Sequence, residues 1–142
     1  MSDPMNALDR AEVVERAEPW TRRFMLFLRA MAGVSLLKGL YHWAMIVGIG
    51  QGPFSAFETN STAWQAATTY FAVIDLVAAV GLWLAAAWGG VVWLTATISM
   101  AAVELMFPQV YGGRVIIVLF ELAMLATYFV LAVAAARERP DS

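Results

Sequence analysis

Residues 63–107 hold two long apolar runs, and only Asp75 and Glu104 carry formal charge within them. A soluble amphipathic helix keeps a polar face, and this stretch has none. It predicts two membrane-spanning helices, about 63–87 and 90–107, joined by a tight turn at Trp88-Gly89-Gly90. The glycine pair suits a helix end, because glycine enters left-handed backbone angles at little cost. An apolar run at about 24–49 predicts a first span, long enough to cross with tilt. It is followed by Gly48, Gly50, Gly52 and Pro53, which open a polar loop at 50–62 containing Phe54 and Phe57. Pro108 breaks the third span, residues 109–113 make a short connection, and a fourth span covers about 114–136. The expected fold is all-α: a four-helix transmembrane bundle, up-and-down with short loops, in a membrane domain of residues 20–137.

The flanking segments read differently. Residues 1–19 are polar and acidic. Asn6 stands as an N-cap, and Leu8, Ala11 and Val14 recur at helical spacing, which predicts a short amphipathic helix over about 6–18, ended by Pro19. The basic start and early apolar core of a secretory signal are missing. A solvated tail and a helix lying on a surface or a partner both fit this segment. Residues 138–142 form a short tail.

Composition places the chain in the membrane class. Of its 142 residues 61% are hydrophobic and 14% charged, with a mean hydropathy of +0.69; soluble domains carry roughly 45–50% apolar and about 25% charged residues. Cysteine is absent. That excludes disulfide frameworks, thiolate metal sites and thiol–disulfide relays, and with them the four-helix quinone-linked thiol oxidases. No phosphate loop, nucleophile elbow or basic nucleic-acid patch is present, and no repeat relates the two halves. Arg10, Arg16, Arg22, Arg23, Arg137 and Arg139 flank one end of the bundle and Arg114 alone the other. By the bias of basic residues, both termini are expected in the cytoplasm.

The intramembrane charges are the candidate chemistry. A charge within a span costs roughly 2.5–3.5 kcal/mol on insertion scales, so such residues face the bundle and find partners. At about 1.5 Å of rise per residue, Lys38 in span one and Asp75 in the antiparallel span two both fall near the midplane, which predicts a Lys38–Asp75 ion pair. His42 lies one turn beyond Lys38 on the same face. Glu104 lies near the outer end of span three, and Glu121 two turns below Arg114 in span four, where a snorkelling Arg114 could reach it. His42, Glu104 and Glu121 are expected to share one outward-facing polar pocket. Trp20, Arg22 and Arg23 form an interfacial belt, and Arg29, half a turn out of phase with Lys38, is expected to snorkel to the same interface. A lone histidine and no Glu-x-x-His motif argue against di-iron and two-histidine haem sites. No cofactor is expected. Small residues in span two (Ala66, Ala72, Ala78, Ala79, Gly81) and span three (Ala96, Ser99, Ala102) permit close helix approach.

Three stretches carry a resemblance: GLYHWAMIVG at 39–48, AVIDLVAAVGLWLAAAWGGVVWLTA at 72–96, and Glu104 followed by Phe107-Pro108 and Tyr111-Gly112. They resemble a family of uncharacterised four-span bacterial inner-membrane proteins, a domain of unknown function, over roughly residues 24–135. The sharpest parts are Tyr41-x-Trp43-Ala44 and Gly81-Leu82-Trp83 with Trp88-Gly89. The hairpin is also similar, more weakly, to the DoxX-like four-helix proteins, in which a GLWL…W turn recurs. The resemblance implies a fold and a location, and no activity or functional residue comes with it.

Three functions fit these residues. The first is a non-enzymatic accessory or scaffold subunit of a larger inner-membrane assembly, partnered by another protein or by its own copies. The second is a small-molecule or ion carrier working through Lys38, Asp75, His42 and Glu104. The third is a quinone-linked redox component. Small size, the lack of cysteine and the lack of a reaction motif favour the first. Nucleic acid is not an expected partner.

Overall fold

The computed structural model describes residues 19–50 and 57–138. The expected helix at 6–18 and the tip of the loop around Phe54 lie outside the described residues. Among the described residues four helices are long and apolar enough to cross a membrane: α1 (Pro19–Val47), α2 (Thr62–Trp83), α3 (Ala87–Met106) and α5 (Val115–Glu138). A one-turn helix, α4 (Pro108–Tyr111), connects α3 to α5, and a short 3-10 turn, Phe57–Thr59, precedes α2.

Local chemistry explains most of the boundaries. Pro19 stands at the first position of α1, where its missing N–H costs nothing. The interfacial belt Trp20, Arg22 and Arg23 therefore lies inside the first turns of α1 rather than ahead of it. Ser61 caps α2, its hydroxyl accepting the Trp64 N–H at 3.2 Å. Pro108 opens α4, and Gly112, at φ 93°, closes it in the left-handed conformation that glycine adopts without strain.

The α2–α3 turn is not where the glycines suggested. The helices end and restart around Leu84, Ala85 and Ala86, and the residue with positive φ (52°) is Ala85. Trp88-Gly89-Gly90 instead form the first turn of α3. Their role is close approach: a Cβ on Gly89 would run into the backbone of Gly81, and one on Gly81 would strike both Gly89 and the Trp88 ring. Gly90 likewise makes room for the Tyr128 hydroxyl, 2.5 Å from where its Cβ would stand. The pair therefore serves packing between helices, the second of glycine's two uses.

The helices alternate in direction. α1 and α3 each pack against both α2 and α5, so the bundle closes in chain order. Gly39 lets α1 approach Leu76 of α2, and the Trp43 indole N–H donates to the Ala72 carbonyl at 3.0 Å one turn further on. At the end that carries the termini, the core is apolar and aromatic. Leu28, Met31, Ala78, Leu82 and Trp93 are buried, with Phe24, Phe27 and Tyr128 packed on them. Trp93 and Tyr128 lie 5.4 Å apart between ring centres, and Phe24 and Tyr128 5.6 Å in an edge-on arrangement.

Both described ends of the bundle lie together. The Glu138 carboxylate, at the close of α5, accepts the backbone N–H groups of Trp20 and Thr21 at 3.1 and 3.0 Å. The last helix thus supplies the N-terminal cap of the first. Glu138 is the final residue of α5 rather than part of a tail.

Candidate functional site

At the opposite end, between α1, α3, α5 and the connector α4, lies a cavity of about 580 Å³. Its floor is built from buried His42, Met100, Glu104 and Glu121, and exposed Tyr41, Arg114 and Phe120 stand at its rim. The helical repeat explains the gathering. Tyr41 and His42 stand three and four residues after Lys38, and Met45 three after His42, along one face of α1, and Ile117 and Glu121 are four apart along α5.

The Lys38 ammonium is the centre of the buried charge. It lies 2.9 Å from Glu121 Oε1 and 3.9 Å from Asp75 Oδ1, bridging α5 and α2 from α1. Asp75 lies behind the cavity wall and is 1% exposed. His42 Nδ1 lies 2.8 Å from the Lys38 carbonyl and 3.7 Å from Asp75 Oδ2. A carbonyl only accepts, so Nδ1 is the donor in that contact. Two buried carboxylate oxygens, Asp75 Oδ2 and Glu121 Oε2, have no hydrogen-bond partner among the described residues. Most polar atoms this deeply buried have one. A second, small cavity of about 30 Å³ lies on the far side of Lys38 and Glu121, with Ser35 and Thr97 in its wall. It is polar and large enough for a water molecule, which needs at least about 10–15 Å³.

The structure brings the expected residues together with different partners. Lys38 and Asp75 are within ion-pair reach, but the lysine's closer contact is Glu121. The expected Glu121–Arg114 pair is not made. Arg114 stands just ahead of α5, and its backbone N–H donates to Glu104 Oε2 at 2.7 Å while Glu121 turns inward to Lys38. Glu104 thereby satisfies a free amide at the start of the last helix. His42, Glu104, Glu121 and Arg114 all line the one cavity. Among the described residues, no group of three or more His, Asp or Glu side chains is arranged to hold a metal ion. At the other end, the Arg23 guanidinium lies over the Trp20 ring at 4.7 Å and that of Arg29 over Trp83 at 5.2 Å.

Tyr111 and Thr68 belong to the site although charge counting passed over them. The Tyr111 hydroxyl and the Thr68 hydroxyl are 2.9 Å apart, which ties the connector to α2. The Tyr111 ring packs 6.2 Å from His42 and 6.3 Å from Phe71. Burial pushes the Tyr111 phenol above its ordinary value, the bond to Thr68 opposes that shift, and the nearby Asp75 and Glu104 add to it. The only sequence sign of this role was Tyr111-Gly112 within the stretches that carried the resemblance.

No curated protein and no solved structure matches the chain. The weaker likeness of the hairpin to DoxX-like proteins has no support in these comparisons. One family model, described as a family of unknown function, does match, over residues 22–139. That match runs from the first turns of α1 to just past the end of α5 and takes in the whole cavity, and the chain accordingly belongs to the family of unknown function DUF6163.

Proposed function

We propose that this membrane protein is a carrier for a small amphipathic solute or an ion, with the cavity as its binding site and Lys38, Glu121 and Asp75 as the groups that handle charge. One observation carries the reading. A single lysine is shared by two buried carboxylates, each with an oxygen that has no partner among the described residues, beside a cavity within the roughly 300–1,000 Å³ of ligand sites. A pair that merely fixes helix register needs one carboxylate. The second leaves a negative charge without a counter-charge in an apolar setting, and a proton or a bound cation balances it. The test is proton flux into vesicles that hold the protein and a pH-sensitive dye. Wild type should dissipate an imposed gradient faster than Asp75→Asn at equal incorporation, and equal rates would remove the reading.

A second reading, a non-enzymatic accessory or scaffold subunit, has one observation in its favour. Of the 24 residues of α5, Val118, Glu121 and Ala135 are buried, while Val115, Ile116, Leu119, Leu122, Phe129, Val130 and Val133 present apolar side chains outward. Gentle extraction in native lipid would separate the two, because a stoichiometric protein partner supports the subunit and a solitary chain with a bound small molecule supports the carrier. For either role we assign the protein to a bacterial inner membrane with both termini in the cytoplasm. The bias of arginines to that end supports this, as does the Glu138 contact that keeps the two ends together.

A further inference from the structure

We infer that the groove between α1 and α2, on the side of the bundle away from the large cavity, binds the acyl chain of an anionic phospholipid whose phosphate is held by Arg29. The groove has a volume of about 490 Å³, and its walls, which include Ala32, Gly33, Leu36, Leu76 and Val80, are apolar throughout. Gly33 opens it: a Cβ there would meet nothing within 4 Å. Gly39 closes it at one end, where α1 touches Leu76. From Leu76 to Trp83 the groove runs about 10 Å along α2, at 1.5 Å per residue. That suits the upper part of a fatty acyl chain.

The other end of the groove carries the charge. Trp83 lies in its wall, and the Arg29 guanidinium stacks on that ring at 5.2 Å. Because Gly39 faces Leu76 and the helices are antiparallel, Arg29 comes level with the α2–α3 turn, which is the depth of the lipid headgroups. Among the described residues Arg29 meets no carboxylate. Arg22 lies two turns back on the same face of α1. An interfacial arginine fixed over a tryptophan, at the mouth of an uncharged groove of acyl width, is complementary to a phosphate with a chain attached. A net negative headgroup fits better than a zwitterionic one, since among the described residues no acidic side chain lines the groove or meets Arg29. This inference is independent of the carrier reading.

The test uses the full-length protein in neutral detergent micelles doped with phosphatidylglycerol or with phosphatidylcholine of the same chains, and native mass spectrometry reads the lipid retained. Wild type should retain phosphatidylglycerol about fivefold better, the value of one basic residue near a membrane surface. Arg29→Gln should erase that preference and Arg29→Lys keep part of it. Gly33→Phe, which fills the groove, should lower retention of both lipids. Both positions are exposed, so an unchanged thermal transition checks the fold. Equal retention of the two lipids by wild type, or an unchanged preference in Arg29→Gln, would overturn the inference. So would a disulfide-linked dimer formed by Gly33→Cys in vesicles, which would assign the groove to a second copy of the chain.

Discussion

The ammonium of Lys38 sits 2.9 Å from Glu121 and 3.9 Å from Asp75, so the first helix is tied by charge more tightly to the last than to the second. Removing the lysine strands two buried carboxylates, whereas removing one carboxylate strands neither the lysine nor the other acid. Lys38→Met should therefore lower stability more than Glu121→Gln. Losing one partner of a fully buried pair costs roughly 3–5 kcal/mol. The Lys38 side chain is 30% exposed, so about 2 kcal/mol is expected here. Combined Lys38→Met and Glu121→Gln should cost less than the sum, as a double-mutant cycle on detergent-solubilised protein would show. Strict additivity would mean that the contact contributes nothing.

The Gly81–Gly89 contact predicts a sharp contrast among glycines. Gly89→Ala places a methyl group against backbone, which cannot move aside as a side chain can, and should destabilise the hairpin by more than about 3 kcal/mol, at or above the usual cost of overpacking. Gly33→Ala meets open space and should be neutral within about 0.5 kcal/mol. Thermal unfolding of the two variants side by side checks both.

Ala85 holds a backbone conformation that a Cβ disfavours by about 1–2 kcal/mol. Ala85→Gly should therefore raise stability by roughly 1 kcal/mol, less the greater entropy of glycine in the unfolded chain. A fall in stability would mean that the methyl group makes contacts worth more than the strain.

Glu138 caps a helix that begins over a hundred residues earlier. Glu138→Gln keeps an acceptor and should cost a few tenths of a kcal/mol, while Glu138→Ala should cost about 1 kcal/mol. Amide hydrogen exchange at Trp20 and Thr21 should speed up in the alanine variant and leave α2 unchanged.

Tyr111 gives a pH signature. Its phenol sits above the ordinary value near 10 in the folded protein and returns to it on unfolding. The folded state therefore disfavours the phenolate. The contribution of Tyr111 to stability should be level below pH 10 and fall as pH rises beyond it. Ultraviolet titration of wild type against Tyr111→Phe isolates this ionisation, and a tyrosine in Tyr111 that titrates at or below 10 would contradict the burial.

The parts of this fold that were legible in the sequence are those with a strong local signal. Four apolar runs of spanning length are four helices, because a membrane leaves the backbone few alternatives. Depth counting set Lys38 and Asp75 at one level, because rise per residue is nearly constant. It could not choose Glu121 over Arg114 as a partner, since that depends on how α5 is rotated toward α1. Gly89 and Gly90 looked like a turn because glycine answers two demands, an unusual φ and a missing side chain, and sequence alone does not say which applies. Glu138 gave no sign at all. Its partners are 118 and 117 residues away, and a terminal Arg-Glu-Arg reads as solvated surface.

The contrast between the two halves of the bundle has an electrical consequence. One half holds an open polar cavity and the other an apolar plug of Trp93, Tyr128 and Phe24. A transmembrane voltage falls mainly across the part that polarises least, so most of it would drop over those rings rather than over the cavity. A charge reaching Glu121 from the cavity would cross little of the field. One continuing past Lys38 to the far side would cross nearly all of it, a difference of about 2.3 kcal/mol per 100 mV for each elementary charge. If the protein works as the carrier proposed above, a membrane potential would thus bias this site, felt at the ring stack and hardly at the mouth.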